Sequence, residues 1–488
     1  MNAPESILLN WLLLFPFIAA AVIAAFPRVL RFIPAHERQS AVAAPAVTAI
    51  SAIGLSLAVS AAMGGIIARG GDAFADYLWT PDFFQFRLRL DALGLYALLA
   101  TLAGLLICAL WAAAGGQQNH VRWAAFAATA GAFTGVVLAA DLVLLYMFWE
   151  LSVVALWAAL APPNPVGRRF LTWNCAGGVC LLVAIVWVAN LTRDTHIYTV
   201  GSGLLVHRLS SVKWVGVMLA LGLGVRLSLV PVHFWALDLC RGAYGRWNLA
   251  LLGSAIVIAA YASVRLVFYI LPTYAAAAVA WVPIALGLLT VAYAGARAVL
   301  ADDICTAASH VFIAAAGQVA FGLGLAMQGR PGALAGSLAL VAPLALAAPL
   351  LAAGAMGGNS ARTWSELRRT SGTAPVRLAA TIAGAWTLSG LPPLAGFSGL
   401  RAVATAAWQA GSVAPLLAAL IAPTLIAVYA VRAALSGWRR GAPTSRPDGS
   451  AWHWWWLGAV VVVSLTLGLA PGLWWPYLLD IARALTGG

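Results

Sequence analysis

Apolar runs of about the length of a membrane crossing, separated by short polar segments, recur along the whole chain. A helix needs roughly 20 apolar residues to cross a hydrocarbon core about 30 Å thick. Runs of that kind lie near Ser6–Phe26, Ala41–Ala62, Asp91–Ala113, Arg122–Ala139, Asp141–Ala161, Phe170–Asn190 and Val215–Val230. They continue at Leu249–Ile270, Ala275–Arg297, Ile304–Met327, Pro331–Ala355, Val376–Ala410, Ala414–Ser436 and Trp454–Ala470. Inside lipid every backbone polar group needs a partner within its own segment, so each run is predicted to be helical. The expected fold class is an all-α polytopic membrane protein with about fourteen transmembrane helices. The first run, Leu8 to Ala25, lacks a basic leader and a small-residue cleavage site, and is expected to be a retained helix.

Two runs are interrupted. Leu227-Ser-Leu-Val-Pro231 ends the seventh, and Leu388-Ser-Gly-Leu-Pro392, followed by Pro393, divides the twelfth. Val376–Ala410 is too long for one straight span and is expected to be a single discontinuous helix. Five spans separate the two breaks, and an odd number between copies implies inverted repeats. Paired proline-interrupted helices in two such halves point to an ion or substrate site. Aligned at an offset of 161 residues, Glu150 falls on Val311, beside His310. The expected division is 1–120 for helices one to three, 121–272 for a first five-helix repeat, 273–437 for a second, and 438–488 for the C-terminal loop and helix fourteen.

Composition agrees with the pattern. Of the 488 residues 63% are hydrophobic and only 9% are charged, against about 25% charged in soluble domains. That excludes an ordinary soluble enzyme, a secreted disulfide scaffold and a disordered chain. The net charge of +13 reads as membrane topology and not as nucleic-acid binding. Arg concentrates in loops after odd-numbered spans, including Arg168, Arg169, Arg241, Arg246, Arg368, Arg369, Arg439 and Arg440. This bias places both termini outside the cytoplasm of a bacterial-type inner membrane. Trp452 to Trp456, around His453, and the pair Trp474–Trp475 are expected interfacial anchors. The five cysteines form no CxxC pair, and no metal site or other cofactor is expected.

Ionisable groups inside spans are few, and each needs a reason to be there. Glu150 is the one acid deep within a run; it reads either as a titrating proton site or as an acid that hydrogen-bonds between helices. Arg226, just before Pro231, is its natural partner, although an arginine holds its proton and cannot relay it. His310 suits a relay or a packing role. His233 and Asp238 follow the first break and could cap it or line a half-channel. Arg401 follows the second break, either in a half-channel or snorkelling to the interface; for Arg265 snorkelling is expected. Asp302 and Asp303 are expected to cap the tenth helix.

These segments resemble one family. Arg89-Leu-Asp-Ala-Leu-Gly94, Asp141 through Glu150, Arg169-Phe-Leu-Thr-Trp-Asn-Cys-Ala-Gly177, Val225 through Asp238 and Gly390-Leu-Pro-Pro-Leu-Ala-Gly-Phe397 are similar, in order, to the antiporter-like subunits of respiratory complex I, Mrp-type cation/proton antiporters and membrane-bound hydrogenases. The resemblance covers about Leu90 to Gly437. It implies a subunit of a larger complex in which a helix-five glutamate, here Glu150, pairs with a helix-seven lysine, and a row of lysines and histidines carries protons across the membrane. The helix-seven position holds Arg226. The helix-eight position falls at Ile258, the helix-eleven position within Leu344-Ala-Leu-Ala-Ala-Pro349, and the helix-twelve position near Leu400 beside Arg401. The entry to helix ten reads Asp303-Ile-Cys-Thr306, and the loop after helix seven reads Arg241-Gly-Ala-Tyr-Gly-Arg246. Lys213 is the only lysine in the chain, so a lysine relay is excluded.

Three functions follow as alternatives: a subunit taking part in proton or cation translocation coupled to a redox or partner module, a non-conducting scaffold, and a membrane partner of a soluble enzyme such as an inorganic-carbon uptake module. Catalysis by this chain alone is not expected. The expected partners are other membrane and soluble subunits and the lipid bilayer, without nucleic acid.

Overall fold

The computed structural model describes residues 3–29, 43–80, 84–114, 119–160, 165–240, 245–355, 363–366, 375–411, 413–438 and 451–486. Among them, eleven helices are long and apolar enough to cross a membrane. Three shorter apolar helices, Leu378–Ser389, Ala419–Leu435 and Leu457–Leu469, fall on the expected twelfth to fourteenth spans. The chain is an all-α polytopic membrane protein. Two compact units divide it, Met1–Arg208 and Leu209–Gly488.

The first unit contains α1 (Ala3–Val29), α2 (Ala44–Ile67), α3 (Ala92–Ala114), α4 (His120–Leu138), α5 (Leu142–Leu160), α6 (Pro165–Thr192) and the short α7 (Val200–Leu204). Helix α1 packs on α4 and α2, α2 on α3, and α5 on both α4 and α6. Between α2 and α3 lies an antiparallel hairpin, β1 (Ala73–Thr80) and β2 (Phe84–Leu90). The apolar runs do not predict it. Its signal is the alternation Phe84-Gln-Phe-Arg-Leu-Arg-Leu90, a period of two. The hairpin accounts for the Arg89-Leu-Asp motif. Arg89 pairs with Asp72 and stacks 3.7 Å above the centre of the Tyr198 ring. Asp91 caps α3 through the Gly94 amide at 2.8 Å and accepts the Tyr198 hydroxyl at 3.2 Å.

The second unit begins with α8 (Leu209–Arg226), α9 (Phe234–Cys240), α10 (Gly245–Ile270), α11 (Thr273–Val279), α12 (Trp281–Leu300) and α13 (Ile304–Ala326). It continues with α14 (Pro331–Ala355), α15 (Pro375–Ser389), α16 (Gly396–Trp408), α17 (Val413–Trp438), α18 (Ala451–Leu469) and α19 (Trp475–Thr486). Helix α13 is its core element, with every residue from Ile304 to Ala326 buried. A helix apolar on all sides belongs in such a place. Gly287 of α12 and Gly317 of α13 let the two backbones meet: a Cβ on Gly317 would lie 2.9 Å from the Gly287 carbonyl oxygen. Small residues at a close crossing take the place of hydrophobic drive when lipid is the solvent.

Local structure recurs between the halves. Helices α4 and α12 end at Leu138 and Leu300, with extended Ala139 and Ala301 as their C-caps. Asp141 and Asp303 follow and cap the next helix, Asp141 accepting from Val143 N at 2.8 Å and Asp303 from Thr306 N at 2.6 Å. Left-handed backbone occurs at Ser228 (φ 58°) and Gly390 (φ 68°). Each of these pairs lies 162 residues apart, so the register is 162 and not the 161 read from the Leu-Ser-x-x-Pro echo. The short motif matches on side chains, whereas the recurring feature is the backbone turn. Pro231 therefore corresponds to Pro393 instead of Pro392, and Glu150 to Phe312 instead of Val311.

Candidate functional site

The seventh span breaks as its sequence predicts. Helix α8 ends at Arg226, α9 starts at Phe234, and the segment between them folds back on itself. Ser228 N donates to Val225 O at 3.0 Å, and Leu229 N to Gly224 O at 3.0 Å. Ser228 holds a conformation uncommon for a residue with a side chain, which persists where the surroundings over-determine it. Two contacts do so. The Trp235 indole crosses the break to donate to Val225 O at 2.9 Å, and Val230 N donates to the Thr290 hydroxyl of α12 at 2.9 Å. Backbone groups freed by the proline are thereby satisfied inside the protein, as a span requires. Arg226, 1% exposed, lies at the α8 end of this break. His233, also 1% exposed, closes it. Asp238 follows on α9, half-buried. Residues 241–244, which begin the loop expected to lack the family's usual run, lie outside the described residues, as does the Arg246 side chain.

Glu150 belongs to the first unit. It stands half-buried on α5, facing α6. The Tyr146 hydroxyl, one turn earlier on the same helix, donates to its carboxylate. Across the helix pair, a Cβ on Gly178 would overlap Oε1 of Glu150, so the glycine makes the niche in which the carboxylate sits. Asp141 anchors the start of this helix. It caps α5 and accepts the Thr195 hydroxyl at 2.6 Å, tying the corner to the loop before α7. Burial pushes its carboxyl up from the usual range, and the Thr195, Val143 and Leu144 hydrogen bonds oppose that rise.

In the second unit His310 lies two turns into α13, 1% exposed. Its Nδ1 is 2.7 Å from the Thr306 carbonyl oxygen. A carbonyl only accepts, so Nδ1 carries the hydrogen and Nε2 is the nitrogen that changes protonation. Asp303 caps this helix as expected. Asp302 instead pairs with Arg432 at 3.3 Å, while Arg432 also donates to Ala301 O and the Trp364 indole donates to the same carbonyl.

The twelfth span is also discontinuous, with α15 ending at Ser389 and α16 starting at Gly396. Pro392 and Pro393 lie in the gap, where the Trp386 indole donates to the Pro392 carbonyl at 3.0 Å. Ser464 of α18 holds the gap from behind, 3.2 Å from the Thr387 hydroxyl. Arg401 is exposed on the surface of α16.

Arg265 departs from expectation. It does not snorkel: it is 1% exposed, donates from Nε to the Tyr261 hydroxyl at 3.0 Å, and lies 4.8 Å from the centre of the Tyr269 ring. Tyrosines four residues to either side on the same helix enclose the guanidinium, which is favourable when it is desolvated. Trp474 and Trp475 form an edge-to-face pair; of the stretch from Trp452 to Trp456, the one side chain described is that of Trp455, which is exposed. Cys108 and Cys305 are buried, whereas Cys175 is exposed and not a packing residue. Among the described residues, no group of three His, Cys, Asp or Glu is placed to hold a metal ion.

Comparison with known proteins agrees with this arrangement. Residues 139–426 match the family described as NADH:quinone oxidoreductase/Mrp antiporter, TM. The chain is 29% identical over 362 residues to NADH-quinone oxidoreductase subunit N of Cereibacter sphaeroides, covering 72% of this chain and 75% of that one. It is 27% identical over 188 residues to a probable K(+)/H(+) antiporter subunit of Rhizobium meliloti, covering 36% of this chain and 19% of that protein. In fold it is similar to a chain of the Mrp complex from Dietzia sp. DQ12-45-1b, with a TM-score of 0.82 at 18% identity, over 100% of this chain and 98% of that one.

Proposed function

The chain belongs to the NADH:quinone oxidoreductase/Mrp antiporter transmembrane family, and from that premise we propose that it is an antiporter-like subunit of a multi-subunit membrane complex and takes part in proton translocation. The observation that supports this reading most is Glu150. A carboxylate half-buried in a span, held by Tyr146 and given room by Gly178, is costly to keep in lipid unless it is used. A carboxyl group held in that way can take up a proton and pass it on. Arg226 at the first break supplies a fixed positive charge, and the family resemblance couples it functionally to Glu150. His233, Asp238, His310 and Arg401 complete the proposed pathway, with Pro231, Pro392 and Pro393 at the breaks. In this reading 121–272 and 273–437 are two repeats of opposite orientation, flanked by 1–120 and 438–488. Both termini face away from the cytoplasm of a bacterial inner membrane.

One observation favours a second reading. Lys213 is the only lysine, so the chain could serve as a non-conducting scaffold within the same kind of complex.

Gentle detergent extraction from native membranes, followed by mass spectrometry of the co-purifying proteins, tests the assembly. Further antiporter-like subunits together with a soluble module are expected. A chain that purifies alone contradicts the proposal.

A further inference from the structure

Three ionisable or proton-carrying rings from separate elements touch in series within the second unit. His233 closes the break of the seventh span, Tyr293 stands on α12, and His310 stands on α13. The His233 and Tyr293 ring centres are 5.1 Å apart with the rings inclined by 65°. The Tyr293 and His310 centres are 6.3 Å apart and inclined by 55°. No spacing along the chain announces this series, because the three positions lie on different elements. A tyrosine seven residues before the end of a helix carries no distinguishing pattern of its own.

We propose that Tyr293 passes protons between His233 and His310, making a His–Tyr–His relay at the Asp303 end of the second unit. The proposal rests on the proton-translocating reading above and names a group that reading lacks. The chemistry fits the three rings. Both imidazoles are 1% exposed. Neither ring nitrogen of His233 makes a well-formed hydrogen bond, the Pro231 carbonyl being the backbone acceptor beside it. A buried polar side chain in that condition is either costly or in use. Nδ1 of His310 is committed to Thr306, which leaves Nε2 to exchange. The phenol between them both donates and accepts. A proton arriving on its oxygen releases the hydroxyl proton to the next imidazole, so one proton enters, one leaves and no other bond is broken. Rings at these separations are in contact, and a single bridging water spans what remains between their polar atoms.

The geometry also gives the relay a direction. Tyr293 is 39% exposed, so the phenol is the member that reaches the surface of the unit, while both imidazoles are enclosed. Phe234, with its ring centre 4.4 Å from that of His233, walls the enclosed side with an apolar face. The relay lies near the end of α12 and the start of α13, close to the Asp303 cap. It is thus a short half-channel from a surface port to the break of the seventh span, built without lysine.

The test uses the assembled complex, carrying the full chain, in proteoliposomes with a pH-sensitive dye inside. Tyr293→Phe keeps the ring and removes the hydroxyl. Its expected effect is a loss of proton translocation of tenfold or more at unchanged assembly, with substantial recovery in Tyr293→His, which restores a group that donates and accepts. Wild-type translocation by Tyr293→Phe overturns the relay. If Tyr293→Phe fails to assemble, His310→Gln read in the same vesicles decides, a wild-type rate again overturning it. Glu150→Gln is measured alongside. A normal rate there defeats the proton-translocating reading itself, and the relay with it, whereas an impaired Glu150→Gln beside a normal Tyr293→Phe defeats the relay alone.

Discussion

Gly178 of α6 makes room for Glu150 of α5: a methyl group in place of the glycine hydrogen would overlap the carboxylate oxygen. The two residues are on neighbouring spans of the first unit, and the niche between them is completed by the Tyr146 hydroxyl. Gly178→Ala is therefore expected to push the carboxylate out of its place while leaving both helices intact. Proton translocation by the assembled complex should fall several-fold, and the infrared carboxyl band assigned to Glu150 should shift. Gly178→Ala with the wild-type rate and an unmoved band would show that the niche does not position the acid.

The register of 162 residues makes an asymmetric prediction at the two breaks. Ser228 and Gly390 share left-handed backbone, but only one of them is glycine. Left-handed backbone costs a residue with a side chain about 1–2 kcal/mol. Ser228→Gly is expected to raise thermal stability in detergent, whereas Gly390→Ala lowers it, because its new Cβ would stand 2.8 Å from Cβ of Leu400. Differential scanning fluorimetry of the two variants checks this; a fall in both would contradict the equivalence.

Asp141 and Asp303 are equivalent caps, and each is expected to contribute about 1 kcal/mol through its hydrogen bonds to the first turn. Asp141→Ala should cost more than Asp303→Ala, because it also abandons the Thr195 hydroxyl. Chemical denaturation of the two variants in mixed micelles gives the comparison, with equal losses counting against a second role for Asp141.

The spans are legible in the sequence because lipid demands long uninterrupted apolar runs, and Pro331–Ala355 illustrates how directly that constraint is written. Both breaks are legible for the converse reason: proline removes a backbone donor and crowds the preceding turn, so a run that contains it near a small polar residue is apt to be interrupted. The Leu-Ser-x-x-Pro echo misplaces the register by one residue because Leu, Ser and Pro are common, while the turn that recurs is a backbone angle that side chains report poorly. Arg265 contradicts its expected snorkelling because depth in the span alone suggests a route to the interface. The tyrosines at 261 and 269, four residues to either side, are visible in the sequence and carry the opposite message. The hairpin at 73–90 is hard to see between two much stronger apolar signals. Tyr293 and Gly178 owe their significance to partners on other helices, which no local pattern encodes.

The measurement that bears most directly on the central claim is the number of protons moved per turnover of the assembled complex in sealed proteoliposomes, for the wild-type chain and for Glu150→Gln at matched assembly. A titrating Glu150 predicts that the glutamine variant moves fewer protons per turnover. An unchanged stoichiometry would contradict that claim and leave the chain as a scaffold that keeps the family's fold without its proton traffic.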